Sequence, residues 1–209
     1  MPQLMVAHDV VCPWCWVARK QAARLQKEFP TLTFRWVGYE LQPEGVVEAF
    51  EETASEPAMK PRIPTRLELL LLVEGLTLPR RTREPSRSRM ALEGAEYAYE
   101  AGLAEPYLDA LYHTYWEEDR DISSKRVLTE VAEEAGLDIG EFLDALETRR
   151  YRSRVVEFDA PAHAKGVWHV PTWMFPEEWV AEQPYPVLRA LAARFVQSEA
   201  TEEGEKRSG

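Results

Sequence analysis

Hydrophobic and polar positions follow a short program at the start of the chain. Leu4-Met5-Val6-Ala7 is an apolar run of the length of a buried strand. Cys15, Ala18, Ala22, Leu25 and Phe29 then recur at steps of three and four, which is one face of a helix. Pro13 stands where a helix accepts proline, at its first position, and Pro30 stops it. Leu32, Phe34 and Trp36 alternate with Thr33, Arg35 and Val37, a strand period of two. The opening therefore predicts β-α-β, a parallel pair joined by a right-handed crossover.

From about Val46 to Lys165 the pattern is helical, with no convincing strand. Met90–Ala101 predicts one helix, and Tyr107, Leu108, Leu111, Tyr112 and Tyr115 mark another. Val127, Leu128, Val131, Ala132 and Ala135 mark a third, with Ser123 as its N-cap. Asp138 and Glu141 resemble a capping box for a fourth, which carries Phe142, Leu143 and Leu146. Strand signals return at Thr172-Trp173-Met174-Phe175 and Trp179-Val180-Ala181. A last helix follows with Val187, Leu188, Leu191, Ala192 and Phe195 on one face. No large apolar residue appears beyond Gln197, and a disordered tail is expected over 198–209.

Composition narrows the function classes. Among 209 residues 45% are apolar, enough for a packed core and against intrinsic disorder. The length suits one large domain or a domain with an insertion. Lys and Arg number 25 against 36 Asp and Glu, a net charge of −11, which lacks the electrostatic footprint of a nucleic-acid binder. The most apolar run, Leu69 to Val73, is far shorter than the ~20 residues of a membrane span. The N-terminus has no basic region followed by an apolar stretch, so a cytoplasmic chain without a membrane partner is expected. The segment Leu78–Arg89 opposes the overall charge, with Arg80, Arg81, Arg83, Arg87 and Arg89 against one Glu. It reads either as a solvated loop or as a seat for an acidic ligand.

The chain has two cysteines, in Cys12-Pro13-Trp14-Cys15, between the first strand and the first helix. A first helical turn leaves N–H groups unpaired, and these, with the helix dipole, favour a thiolate over a thiol. Residues three apart on a helix are neighbours, so the two sulfurs lie within bridging reach. Cys12 should attack and Cys15, one turn deeper, should resolve. Pro13 and Trp14 between them tune the pair, and Trp14 is expected to be exposed on the substrate surface. A structural disulfide is the poorer reading, because the loop is tiny and the compartment reducing. A zinc site completed by His163 and His169 is also poorer, because about 150 residues separate them from Cys15, against 12–15 in a zinc finger. No metal is expected.

With these residues assembled, the chain resembles the thioredoxin-fold superfamily, within it the DsbA family, and most closely the FrnE-like group. Asp9-Val10-Val11-Cys12-Pro13-Trp14-Cys15 resembles that group's active-site opening. Tyr39-Glu40-Leu41-Gln42-Pro43 resembles the segment after its second strand. Arg89–Gly102 and Leu111–Asp138 resemble its helical insertion, and Gly166-Val167 with Val170-Pro171-Thr172 resembles its cis-proline loop. The resemblance implies an α/β, thioredoxin-like fold (β-α-β … β-β-α) with a large helical insertion. The thioredoxin-like part is expected over 1–45 and 160–197, and the insertion over 46–159. It also implies a cis Val170–Pro171 bond against the cysteine pair and substrate binding by Val170, Pro171, Thr172 and His169. Two departures stand out. Trp168-His169 replace a position that is usually small, and Val180-Ala181-Glu182-Gln183-Pro184 lacks the glycine that usually follows the last strand.

His169 reads either as a neighbour of Cys12 or as an exposed loop residue, and His8 either as a neighbour of the site or as ordinary packing. The function expected is thiol–disulfide exchange on protein or small-molecule disulfides, with glutathione as a possible co-substrate and no other cofactor. In a glutathione pool at roughly −220 to −320 mV, reduction or isomerisation is favoured over net oxidation. Two other readings stand beside it. One is a glutathione-dependent isomerase or transferase, like the 2-hydroxychromene-2-carboxylate isomerases and kappa-class transferases, which resemble this architecture with a catalytic serine and no second cysteine. The other is a non-catalytic adaptor or chaperone.

Overall fold

The computed structural model describes residues 2–43, 63–83 and 86–208. The start of the expected insertion, through residue 62, and two residues of the Arg-rich segment lie outside the described residues. β1 (Gln3–His8), α1 (Pro13–Glu28) and β2 (Thr33–Glu40) form the predicted parallel β-α-β unit, with Val6 opposite Trp36. Buried Leu4 and Val6 alternate with exposed Gln3 and Met5, as the period-two pattern requires. α1 starts where Cys12, in extended conformation, becomes the N-cap and Pro13 takes the first helical position. It ends at Phe29, one residue before Pro30.

β4 (Thr172–Met174) pairs antiparallel with β1, and β5 (Trp179–Ala181) forms a hairpin with β4. A fifth strand corrects the expectation of an all-helical middle. β3 (Val156–Glu157) pairs in parallel with Tyr39 and Glu40, so the sheet order is β3-β2-β1-β4-β5. Two residues carry no periodicity to detect, and only pairing with β2 makes them a strand.

Between β2 and β3 lie α2 (Arg66–Glu74), α3 (Arg89–Glu100), α4 (Ala104–Trp116), α5 (Lys125–Glu134) and α6 (Ile139–Glu147). α3 packs on α4, α4 on α5, α5 on α6, and α6 returns to α3, while α3 also covers β2. The ring closes around Gly94, where Tyr107 and Phe142 approach the backbone. α2 opens on a reciprocal capping box between Thr65 and Glu68, and ends at Gly75 in the left-handed region. Its last residue, Glu74, accepts from Gln21, Arg24 and the Tyr185 N–H and so ties α2 to α1 and, beyond the short α7 (Ala160–Ala164), to the start of α8 (Tyr185–Ser208).

Three local expectations are corrected. The N-cap of α5 is Ser124, because Ser123 is held in a turn by Asp121. Asp138 caps α6 by accepting from the Glu141 N–H, which is one half of the capping box expected there. α8 runs on through Ser208 where a disordered tail was expected. The segment after Gln197 carries four Glu, a good helix former, and extending an anchored helix avoids the nucleation cost of starting one.

Candidate active site

The site forms where β1 ends and α1 begins. Asp9, Val10 and Val11 connect the two, and Cys12 follows as N-cap, its carbonyl accepting from the N–H groups of Cys15 and Trp16. Cys12 is 5% exposed and Cys15 is fully buried. Both are free thiols. Burial pushes the Cys15 thiol well above its ordinary range, its interaction with the Cys12 sulfur pushes it further, and the nearby Asp9 charge adds to this. The two sulfurs are thus unequal: Cys12 keeps a sliver of exposure, and Cys15 is sealed behind it and held protonated.

The sheet register explains what meets Cys12. Ala7 pairs with Thr172, so the residues just before β4 lie beside the end of β1. The Val170–Pro171 bond is cis, and the Cys12 thiol donates to the Val170 carbonyl oxygen at 3.3 Å. Thr172 starts β4 beside that bond. It is buried, and its hydroxyl donates to the His169 carbonyl at 2.6 Å, closing the loop on itself. His169 is exposed and pairs with Glu182 across 3.8 Å. Trp168, 62% exposed, stacks on His163 with ring centroids 4.4 Å apart. Trp14 is half-buried rather than exposed, with the Arg66 guanidinium 5.8 Å from its ring.

Asp9, quoted in the sequence only as part of the active-site opening, received no role there. Its carboxylate accepts from the N–H groups of Leu41 at 2.8 Å and Val11 at 3.3 Å, and from the Ser88 hydroxyl at 3.0 Å. Its backbone carbonyl accepts from the Cys12 N–H. Burial nevertheless pushes its pKa up to about 6, against those hydrogen bonds. An acidic residue three positions before a CxxC pair, at the end of an apolar strand, is the signal that could have exposed it. The helical segment supports the same loop. Trp116 donates to the Val10 carbonyl at 2.8 Å, and Tyr112 to the Asp9 carbonyl at 3.3 Å.

His8 is fully buried beneath this loop, hydrogen-bonded to Tyr112 at 3.0 Å and edge-on to Trp36. Burial, with Arg19 and Arg35 nearby, lowers its pKa to about 3, so at neutral pH it packs as an uncharged ring and contributes no cation near Cys12. Two arginines of the basic segment serve structure. Arg81 donates to the Tyr115 carbonyl and lies 3.4 Å above that ring, and Arg89 pairs with Glu40 and Glu157. Among the described residues no three His, Cys, Asp or Glu side chains gather as a metal site. Among them, too, no helix is long and apolar enough to cross a membrane.

Known proteins share this fold. A family model described as the DSBA-like thioredoxin domain matches residues 3–190. The chain belongs to the DsbA-like thioredoxin family. It is 28% identical over 163 residues to the uncharacterized protein YwbO of Bacillus subtilis (strain 168), covering 77% of this chain and 78% of that protein. Among solved structures it is similar to a probable DsbA oxidoreductase from Streptomyces coelicolor, with a TM-score of 0.71, 20% identity, and 94% and 91% of the two chains covered. It is similar also to the cytosolic disulfide reductase DsbM from Pseudomonas aeruginosa with GSH, with a TM-score of 0.65, 17% identity, and 96% and 99% covered. At those identities the two structures speak for the DsbA-like fold and its helical insertion.

Proposed function

We propose that this DsbA-like protein is a thiol–disulfide oxidoreductase of the FrnE-like kind, in which Cys12 attacks and Cys15 resolves. The observation that carries the reading is the asymmetry of the pair: a nearly buried Cys12 at a helix start against the Val170 carbonyl, with a sealed, protonated Cys15 behind it. The Cys12 thiolate attacks one sulfur of a substrate disulfide, forming a mixed disulfide and releasing the other sulfur as a thiolate that takes up a proton. Cys15 then gives up its proton and attacks the Cys12 sulfur. The Cys12–Cys15 disulfide forms, the second substrate thiol leaves, and two electrons have passed to the substrate. Two glutathione molecules, leaving as glutathione disulfide, or one protein dithiol, leaving as its own disulfide, return the pair to the reduced state.

The setting of this reading is a cytoplasmic, reducing pool, and it draws support from the cytosolic origin of the DsbM relative and the GSH bound there. The substrates are protein or small-molecule disulfides, gripped beside Val170 and Pro171. A glutathione-dependent isomerase would have no use for a second cysteine one turn behind the first.

Trapping tests the proposal. Cys15→Ala should accumulate mixed disulfides through Cys12, identifiable by mass, with glutathione disulfide and with cellular proteins. Cys12→Ser should form none. A Cys15→Ala protein that traps nothing would overturn the assignment.

A further inference from the structure

The basic residues are not spread evenly along the chain. Arg149-Arg150-Tyr151-Arg152-Ser153-Arg154 places four arginines between α6 and β3, and the Arg-rich segment ends at Arg89, the first residue of α3. Arg150 and Arg154 turn to Asp144 and Glu100. Arg89, Arg149 and Arg152 instead line one cavity of about 510 Å³, together with Lys165, which follows α7. Val156 of β3 and Pro161 of α7 give it an apolar wall. Neither cysteine lines it, and β2 separates β3 from the strand that leads to Cys12.

The four cations are of two kinds. Arg149 grips the fully buried Glu93 through Nε and Nη2, and Arg89 is held by Glu40, Glu157 and the Val155 carbonyl. These guanidiniums are fixed before any ligand arrives. Arg149 keeps its pose at φ 54, a left-handed conformation that a non-glycine residue holds only where its contacts sustain it. Arg152 and Lys165 are exposed and, among the described residues, take no carboxylate partner. Glu157 is the one carboxylate among the described lining residues, and it pairs with Arg89.

A chain of net charge −11 repels anions, so two unpaired cations facing one cavity reverse the field locally. A planar carboxylate fits a single guanidinium fork. A phosphate presents oxygens in divergent directions and meets cations that arrive from separate parts of the chain. The volume falls within the ~300–1,000 Å³ of small-molecule sites.

We propose that this cavity binds a phosphorylated small molecule of the size of a nucleoside diphosphate, with its phosphates on Arg152 and Lys165 and its ring on Val156 and Pro161. The site is separate from the exchange chemistry and does not depend on it.

Isothermal titration of the full chain at low salt tests this, with ADP, inorganic pyrophosphate and citrate as probes. One ADP should bind per chain, about tenfold more tightly than pyrophosphate, which has no ring to bury. Citrate should bind more weakly than ADP. Arg152→Gln and Lys165→Gln should each weaken ADP binding about tenfold, the worth of one hydrogen bond to a charged group, without lowering the melting temperature of the free protein. Arg126→Gln, an exposed cation on α5, should leave the affinity unchanged, and so should Cys12→Ser. The proposal is overturned if ADP does not saturate, if pyrophosphate or citrate matches it, or if Arg126→Gln costs as much as Arg152→Gln. Loss of binding in Cys12→Ser would move the ligand to the redox pair and overturn it equally.

Discussion

His8 and Asp9 are adjacent at the end of β1 and both fully buried, and burial moves their ionisation in opposite senses. The folded Asp9 carboxyl keeps its proton up to about pH 6, whereas an unfolded one releases it near 3.8. Its contribution to stability is therefore complete below about pH 4 and is lost as pH rises through 6. His8 behaves oppositely. An unfolded imidazole charges below 6.5, and the folded one refuses the proton until about 3, so its contribution is complete above 6.5 and is lost as pH falls toward 3. Between pH 4 and 6 each group contributes a slope of about 1.4 kcal/mol per pH unit, with opposite signs. Asp9→Asn removes one slope and exposes the other. Denaturant unfolding at pH 4, 5 and 6 should show the variant gaining on the native chain by about 3 kcal/mol as pH rises. Parallel curves would contradict it.

Arg19 is buried on α1, pairs with Glu105 and Asp109 of α4, and lies 4.8 Å from the Trp36 ring. The carboxylates are 42% and 75% exposed, so water screens much of the pair and the stem's packing dominates. Arg19→Met should cost about 1 kcal/mol or less, and Arg19→Ala about 2–4 kcal/mol, because the alanine leaves a cavity. Equal losses by chemical denaturation would show that the charge, and not the stem, holds α1 to α4.

Gly94 lies where α3 meets α4 and α6. A Cβ there would collide with the Tyr107 hydroxyl and come within 2.9 Å of the Phe142 ring. Gly94→Ala would raise helix propensity by ~1 kcal/mol in isolation. Here overpacking should win, with a net destabilisation of about 1–3 kcal/mol, read as a lower melting temperature. A stabilised variant would mean that the helical ring has slack.

Trp116 donates to the carbonyl of Val10, which is itself fully buried in the loop that leads to Cys12. Trp116→Phe keeps an aromatic ring but leaves that carbonyl unpaired, and should cost about 1–3 kcal/mol. An unchanged unfolding midpoint would show that the loop finds another donor.

Much of this architecture was legible because it is local. Periods of 3.6 and 2.0 follow from backbone geometry, so α1, β1, β2, β4 and β5 announce themselves in Cys15–Phe29, Leu4–Ala7, Leu32–Trp36, Thr172–Met174 and Trp179–Ala181. The Cys-Pro-Trp-Cys spacing states that one thiol caps a helix and the other lies a turn deeper. β3 was not legible, since Val156 and Glu157 become a strand only by pairing with β2. Nor were the environments of His8 and Asp9, since burial is a property of what packs around a residue. Thr172 and His169 looked alike in a loop motif, yet one turned inward to a carbonyl and the other outward to Glu182.

By itself the sequence determined the opening β-α-β unit and the closing strands and helix, the helix start at Pro13 and the presence of a redox pair, because each depends on neighbours within a few residues. Only the tertiary structure decided that the Val170 carbonyl lies against Cys12, that Asp9 is desolvated beneath the pair, and that Glu182 bridges Arg66 of α2 to His169 of the loop. Those relations join residues far apart in the chain. They arise from sheet register and helix packing, which fix distances that no local pattern encodes.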